Sequence, residues 1–204
     1  MRVVSGKVIS CAVEGPVDES ILRILLDYSG LRPGGIYGKS GKSFLRQKIQ
    51  AYNHAASYSP WIILVDLNHD AECAPVLRKL WLPNPALGMF FRIAVREVEA
   101  WLLGDQERIA AFLGVAHSKI PQNPENLDDP KQFMIELASN SRRREIREDM
   151  VPRPGSGRKI GPAYTSRLVE FATNRMFGWR PGVAARHSDS LNRCLRRLRS
   201  LLKK

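Results

Sequence analysis

The chain of 204 residues is 44% hydrophobic and holds 32 Lys and Arg against 20 Asp and Glu, a formal charge of +12. Such a length and apolar content can bury an ordinary core, which excludes disorder as the default and fits one domain or a domain with a substantial extension. No apolar run nears the roughly 20 residues that span a bilayer, and Met1 to Cys11 lacks the apolar stretch and cleavage site of a signal peptide, so no membrane association and a cytoplasmic location are expected.

Lys7 to Val13 is short, apolar and β-branched, which predicts a buried strand that Gly15 and Pro16 end. Pro16 suits the first position of a helix whose apolar face is Ile21, Leu22, Ile24, Leu25 and Leu26, with Asp18 and Glu19 at its positive end. A turn-rich stretch from Gly30 to Gly35 leads to a short strand at Gly35 to Tyr37 and a helix from Ser43 to Ser57. Trp61 to Val65 is continuously apolar between Pro60 and Asp66, the signature of a central parallel strand. A helix at Ala74 to Leu80, a strand at Met89 to Val95 and a helical run from Val98 to Leu113, broken near Gly104, complete the first part. This alternation predicts an α/β fold, a mostly parallel sheet with helices on both faces, over residues 1–115.

Residues 116–204 read as a basic, mainly helical extension packed on that domain. Ser118 to Pro130 is a loop, Pro130 to Ser139 a helix, and Ser141 to Gly161 an Arg-rich connection broken by Pro and Gly. Helices follow at Tyr164 to Asn174 and Ser190 to Leu202, the second with Leu191, Cys194, Leu195, Leu198, Leu201 and Leu202 on one face and Arg193, Arg196, Arg197 and Arg199 opposite. Residues 142–204 hold 17 Lys and Arg against 5 Asp and Glu, so the entire formal charge sits there. That bias favours a phosphate-rich partner, DNA or RNA, with a solvated Arg-rich face or an acidic protein partner as the other reading. Cys11, Cys73 and Cys194 are odd in number and far apart, which excludes a disulfide framework or zinc ribbon and leaves them as small buried residues.

Functional groups in open parallel sheets gather beyond the carboxyl ends of the strands. Three strands here end in acids: Glu14 after the first, Asp66 and Asp70 with Asn68 after the central one, and Glu97 and Glu99 after the next. Carboxylate and amide oxygens are hard ligands suited to Mg²⁺ or Mn²⁺, and a cation removes the repulsion between acids. Taken singly, Glu14 can serve a helix start, Asp70 can cap a helix, and Glu97 and Glu99 can be solvated; together they point to a metal site. Asp66 and Glu97 are the expected ligands, Asn68 or Asp70 would complete the shell, Glu99 is a ligand or supporting acid, and Glu14 is a general base or ligand to a second metal.

The run Val13-Glu14-Gly15-Pro16-Val17-Asp18-Glu19 resembles the first motif of the Toprim family, and Leu64-Val65-Asp66-Leu67-Asn68 resembles its second, with Asn68 where the family usually has Asp. Arg96-Glu97-Val98-Glu99-Ala100-Trp101-Leu102-Leu103 is similar to a block in an uncharacterised family of small Toprim-like proteins, related to overcoming-lysogenization-defect nucleases and some encoded near phage-defence genes. The resemblance covers roughly the first half of the chain. It implies a Toprim-like sheet and a Mg²⁺-dependent nuclease or related phosphotransfer enzyme with catalytic Glu14, Asp66 and Glu97, acting on nucleic acid, with an ATPase partner in phage defence. The other reading is a non-catalytic nucleic-acid-binding or regulatory module with a degenerate site, for which Asn68 argues.

Gly41-Lys42-Ser43 matches the end of a Walker A loop, but position 36, five before Gly41, is Ile, so nucleotide binding by that motif is not expected. Lys39 and Lys42 are instead read as phosphate contacts. His54, His69, His117 and His187 lack metal-ligand spacing. Arg158 and Lys159 are candidate phosphate contacts, as are Arg175 and Arg180, which flank Phe177 and Trp179 as cations and aromatics do on strand-binding surfaces.

Overall fold

Strand and helix alternate as the apolar pattern demands. The computed structural model describes residues 6–203; the start of the stretch examined for a signal peptide, residues 1–5, lies outside them. In chain order come β1 (Val8–Val13), α1 (Pro16–Tyr28), β2 (Arg32–Gly38), α2 (Lys42–Ala55), β3 (Trp61–Asp66), α3 (Ala74–Trp81), β4 (Met89–Ala94) and α4 (Val98–Leu103). There follow α5 (Gln106–Leu113), α6 (Pro130–Ser139), α7 (Arg144–Met150), α8 (Tyr164–Thr173), α9 (Pro181–Ala184) and α10 (Asp189–Ser200). No helix among the described residues is long and apolar enough to cross a membrane.

The four strands form one sheet in the order β2-β1-β3-β4, every pair parallel, with α1, α2 and α3 as the crossovers parallel strands require. It is an α/β sheet of Rossmann-like arrangement. All six residues of β3 are buried, which fits its place between β1 and β4. Because side chains alternate across a strand, Ile63, Val65, Phe91 and Ile93 share one face, where they pack with Leu45 and Ile49 of α2 and Leu77 and Trp81 of α3. Ile62 and Leu64 point the other way, toward the face on which α1 buries Ile21, Leu22, Leu25 and Leu26. Each such side chain contributes about 1.5–3 kcal/mol by leaving water.

β2 is longer than the expected Gly35 to Tyr37. As an edge strand it accepts Pro33, which lacks a donor, and a shift of register against β1 between Ile9 and Cys11. It ends at Gly38, whose φ is 89° and whose place a Cβ would fill only 2.3 Å from the Val13 carbonyl oxygen. That close approach sets the next loop on the end of β1, where Lys39 N–H donates to Val13 O at 2.8 Å and Gly41 N–H to Glu14 O at 3.1 Å. Of the cysteines, Cys11 and Cys194 are buried as expected, but Cys73 is exposed, standing just before α3 rather than within it.

The chain divides into two compact units, residues 1–95 with 190–204, and residues 96–189. The limit expected at residue 115 falls inside the second unit, just after α5. The first unit contains the sheet and also α10, because α10 buries Leu191, Cys194, Leu195 and Leu198 and lays Arg197 over the Phe90 ring of β4 at 4.8 Å. Leu202, expected on that apolar face, is half exposed, since the helix ends at Ser200. The second unit is helical. α7, inside the stretch that the sequence reads as a connection, is too short and too polar to leave a periodic signal and buries only Ile146 and Met150, while α9 is only four residues long.

Within the second unit the helices are tied by polar contacts. Trp179 donates its indole N–H to the Trp101 carbonyl at 3.0 Å. Asp105, fully buried, accepts Arg180 Nε at 2.9 Å and Nη2 at 2.7 Å, and Arg180 reaches Glu107 at 2.8 Å. An interior carboxylate needs such partners.

Candidate metal centre

β1 and β3 run side by side and end together, which places Glu14 next to the last residue of β3. Glu14 Oε1 accepts the Asp66 backbone N–H at 2.8 Å, so the acid after one strand holds the end of the other. Asp66 itself is buried. The chain then turns at Asn68, whose φ of 48° is left-handed, a conformation asparagine tolerates better than most residues. Asparagine at that position thus has a backbone reason.

Lys42 lies against the same edge. Its ammonium donates to the Asp66 carbonyl at 2.5 Å and pairs with Asp70 Oδ2 at 2.6 Å. Asp70 is held by that ammonium at the exposed side of the loop, beside the exposed His69. Lys39, the other candidate phosphate contact, pairs with Glu19 at 3.1 Å.

Glu97 and Glu99 follow β4. Asp66 stands in register with Ala94, and three residues of chain, which reach about 10 Å at most, lead from Ala94 to Glu97. Glu97 precedes α4 and Glu99 lies in its first turn. Asp66 stands at the end of β3 in the first unit, and Glu97 and Glu99 open the second.

The surroundings of the two glutamates differ. Glu97 Oε2 accepts the Lys131 backbone N–H at 2.9 Å and Oε1 the Lys131 ammonium at 2.8 Å. Glu99 is 2% exposed; its Oε1 accepts the Tyr164 hydroxyl at 3.2 Å and lies 3.6 Å from the Lys131 ammonium, while its Oε2 has no hydrogen-bond partner among the described residues. Burial pushes the Glu99 carboxyl above the usual carboxylate range, and the charge of Glu97 adds to this while Lys131 opposes it. Burial, and then the charge of Glu99, hold the Tyr164 hydroxyl well above its ordinary value, so it stays a donor.

This donor set fits a hard divalent cation. Two carboxylates share the Lys131 ammonium, and a buried oxygen of Glu99 is without a hydrogen-bond partner among the described residues, which is costly unless a proton or a cation meets it. Of the residues expected to act together, Glu97 and Glu99 share Lys131; Glu14 is one hydrogen bond from the Asp66 backbone, Asn68 shapes the turn, and Asp70 is engaged with Lys42. Lys131 and Tyr164 were not anticipated. They lie 34 and 65 residues from their partners, and each reads locally only as the start of a helix.

The basic candidates separate likewise. Arg158, Lys159 and Arg175 are exposed, as are Met176 and Phe177 beside Arg175. Trp179 and Arg180 are instead committed to the helix contacts described above.

Compared with known proteins, the chain matches no protein-family model, no curated protein and no solved structure. What fold and site define is an α/β protein with a four-stranded parallel sheet and an acidic group able to hold a metal ion.

Proposed function

We propose that the chain is a metal-dependent phosphodiesterase acting on nucleic acid, a Toprim-like nuclease. The observation that carries this reading is the buried Glu99 Oε2, without a hydrogen-bond partner among the described residues, beside Glu97 on the same Lys131 ammonium. Mg²⁺ or Mn²⁺ held there supplies Lewis acidity and lowers the pKa of water. Asp66, Glu97 and Glu99 hold the cation. Glu14 acts as a positioning residue, fixing the backbone of Asp66 through its N–H. Tyr164 keeps Glu99 oriented, and the Lys131 ammonium stands close enough to the acids to steady negative charge on a phosphate. The exposed Arg158, Lys159 and Arg175 support a polyanionic substrate.

One observation favours a second reading, a nucleic-acid-binding module without turnover. Lys131 already places a cationic group on Glu97, and that charge relieves part of the need for a metal. Incubation of supercoiled plasmid and of labelled RNA with Mg²⁺ or Mn²⁺ separates the two. Nicking or cleavage that requires the cation and is lost in Asp66→Asn and Glu99→Gln supports the enzyme; salt-sensitive binding with no cleavage under either metal establishes the module.

A further inference from the structure

A second polar site lies wholly within the first unit, on the outer strand of the sheet. A cleft of about 420 Å³ runs along β4 beside α3 and α10, a size typical of small-molecule sites. Four cationic residues line it, Arg78, Lys79, Arg92 and Arg193, and no acidic residue does. Leu82 and Phe91 are among the apolar groups that complete its wall.

Arg92 is the unusual member. It occupies the middle of a strand, its side chain is largely withdrawn from water, and its Nε is buried with no hydrogen-bond partner among the described residues. Burial works most strongly against its charge, Arg78 and Arg197 add to that, and Cys194 opposes it. A guanidinium cannot escape by losing its proton, so a buried donor among like charges is an unpaid cost unless an anion meets it. Guanidinium groups match phosphate oxygens in pairs, and a site with several cations favours a dianion over a single carboxylate.

We propose that this cleft binds a phosphate monoester carried on a small organic group of nucleotide size, with Arg92 and Arg78 on the phosphate and the Phe91–Leu82 wall against the organic part. The site is separate from the acidic group and does not depend on the metal-dependent reading.

The test is calorimetric titration of the full chain in EDTA, so that no divalent cation takes part, with each of the four ribonucleoside 5′-monophosphates, inorganic phosphate and unphosphorylated nucleosides. At least one monophosphate should bind saturably, at least tenfold more tightly than inorganic phosphate, and the parent nucleoside should not bind. Arg92→Gln and Arg78→Gln should each weaken that binding tenfold or more. Arg78 is exposed, so its variant folds even if the strand substitution does not. Absence of saturable binding by all four monophosphates, equal affinity for inorganic phosphate, or indifference to both substitutions overturns the proposal. So does an oligonucleotide without terminal phosphates that outcompetes the monophosphates and loses its advantage in Arg78→Gln, because the ligand is then a phosphodiester strand.

Discussion

Glu99 imposes the strictest requirement on the acidic group, because its carboxyl is buried and one oxygen lacks a hydrogen-bond partner among the described residues. A carboxyl whose pKa is raised by folding holds its proton more tightly in the folded chain. Its contribution to stability is therefore full below the ordinary carboxylate value, about 4.3, and is lost as pH rises through the raised value. In EDTA, thermal melts of the wild type should decline as pH rises above the ordinary carboxylate range more steeply than those of Glu99→Gln, which carries no ionisable proton there. Mn²⁺ at a hundred times its Kd stabilises by about 2.7 kcal/mol, which at 2–4 °C per kcal/mol raises Tm by about 5–10 °C. Glu99→Gln should lose most of that rise; an equal rise in both proteins would place the metal elsewhere. Asp66, at the end of β3, and Glu97 and Glu99, after β4, stand out in the sequence because a strand's direction fixes where its end lies. Lys131 and Tyr164 do not, since nothing local marks a residue for a contact so far along the chain.

Among the elements, long apolar runs were read correctly and short polar ones were not. β3 announces itself by six buried positions in a row, whereas α7 and α9 bury two residues each and are held by partners outside themselves. Arg180 shows the consequence. Beside Phe177 and Trp179 it reads as part of a strand-binding surface, yet its guanidinium grips Asp105 and Glu107. Arg180→Ala leaves the fully buried Asp105 without its principal partner, at a cost of about 3 kcal/mol, the low end for a broken buried pair because the arginine is itself one-third exposed. Chemical denaturation should show that loss as a lower midpoint. The exposed Arg175→Ala should stay within about 0.5 kcal/mol of the wild type. A midpoint unchanged by Arg180→Ala would deny the clamp its structural role.

For the molecule as a whole, the distribution of charge changes meaning once the chain is folded. Along the sequence the +12 lies in the last 63 residues. By compact unit, residues 1–95 with 190–204 hold 17 Lys and Arg against 7 Asp and Glu, a net +10, whereas residues 96–189 hold 15 against 13, a net +2. Residues 190–204, which include most of α10, bring six of the first unit's cations, and residues 1–95 contribute the remaining net +4. If a DNA or RNA strand is drawn to that charge, its affinity should fall steeply between 50 and 200 mM salt, with a slope that decreases by up to about 0.9 for each phosphate contact removed. Substituting the exposed α10 pair Arg193→Gln and Arg196→Gln should flatten the slope by more than substituting Arg158→Gln and Lys159→Gln, as measured by fluorescence anisotropy. The reverse order would locate the strand on the second unit.

The sequence alone determined the alternation of strand and helix, the parallel sheet and the acids beyond its strand ends, because apolar periodicity and chain direction are local properties. The tertiary structure decided which acid is buried without a partner, which lysine stands among the carboxylates, and which unit receives the basic helix. Those outcomes depend on contacts between residues tens of positions apart, and no periodicity in the chain encodes them.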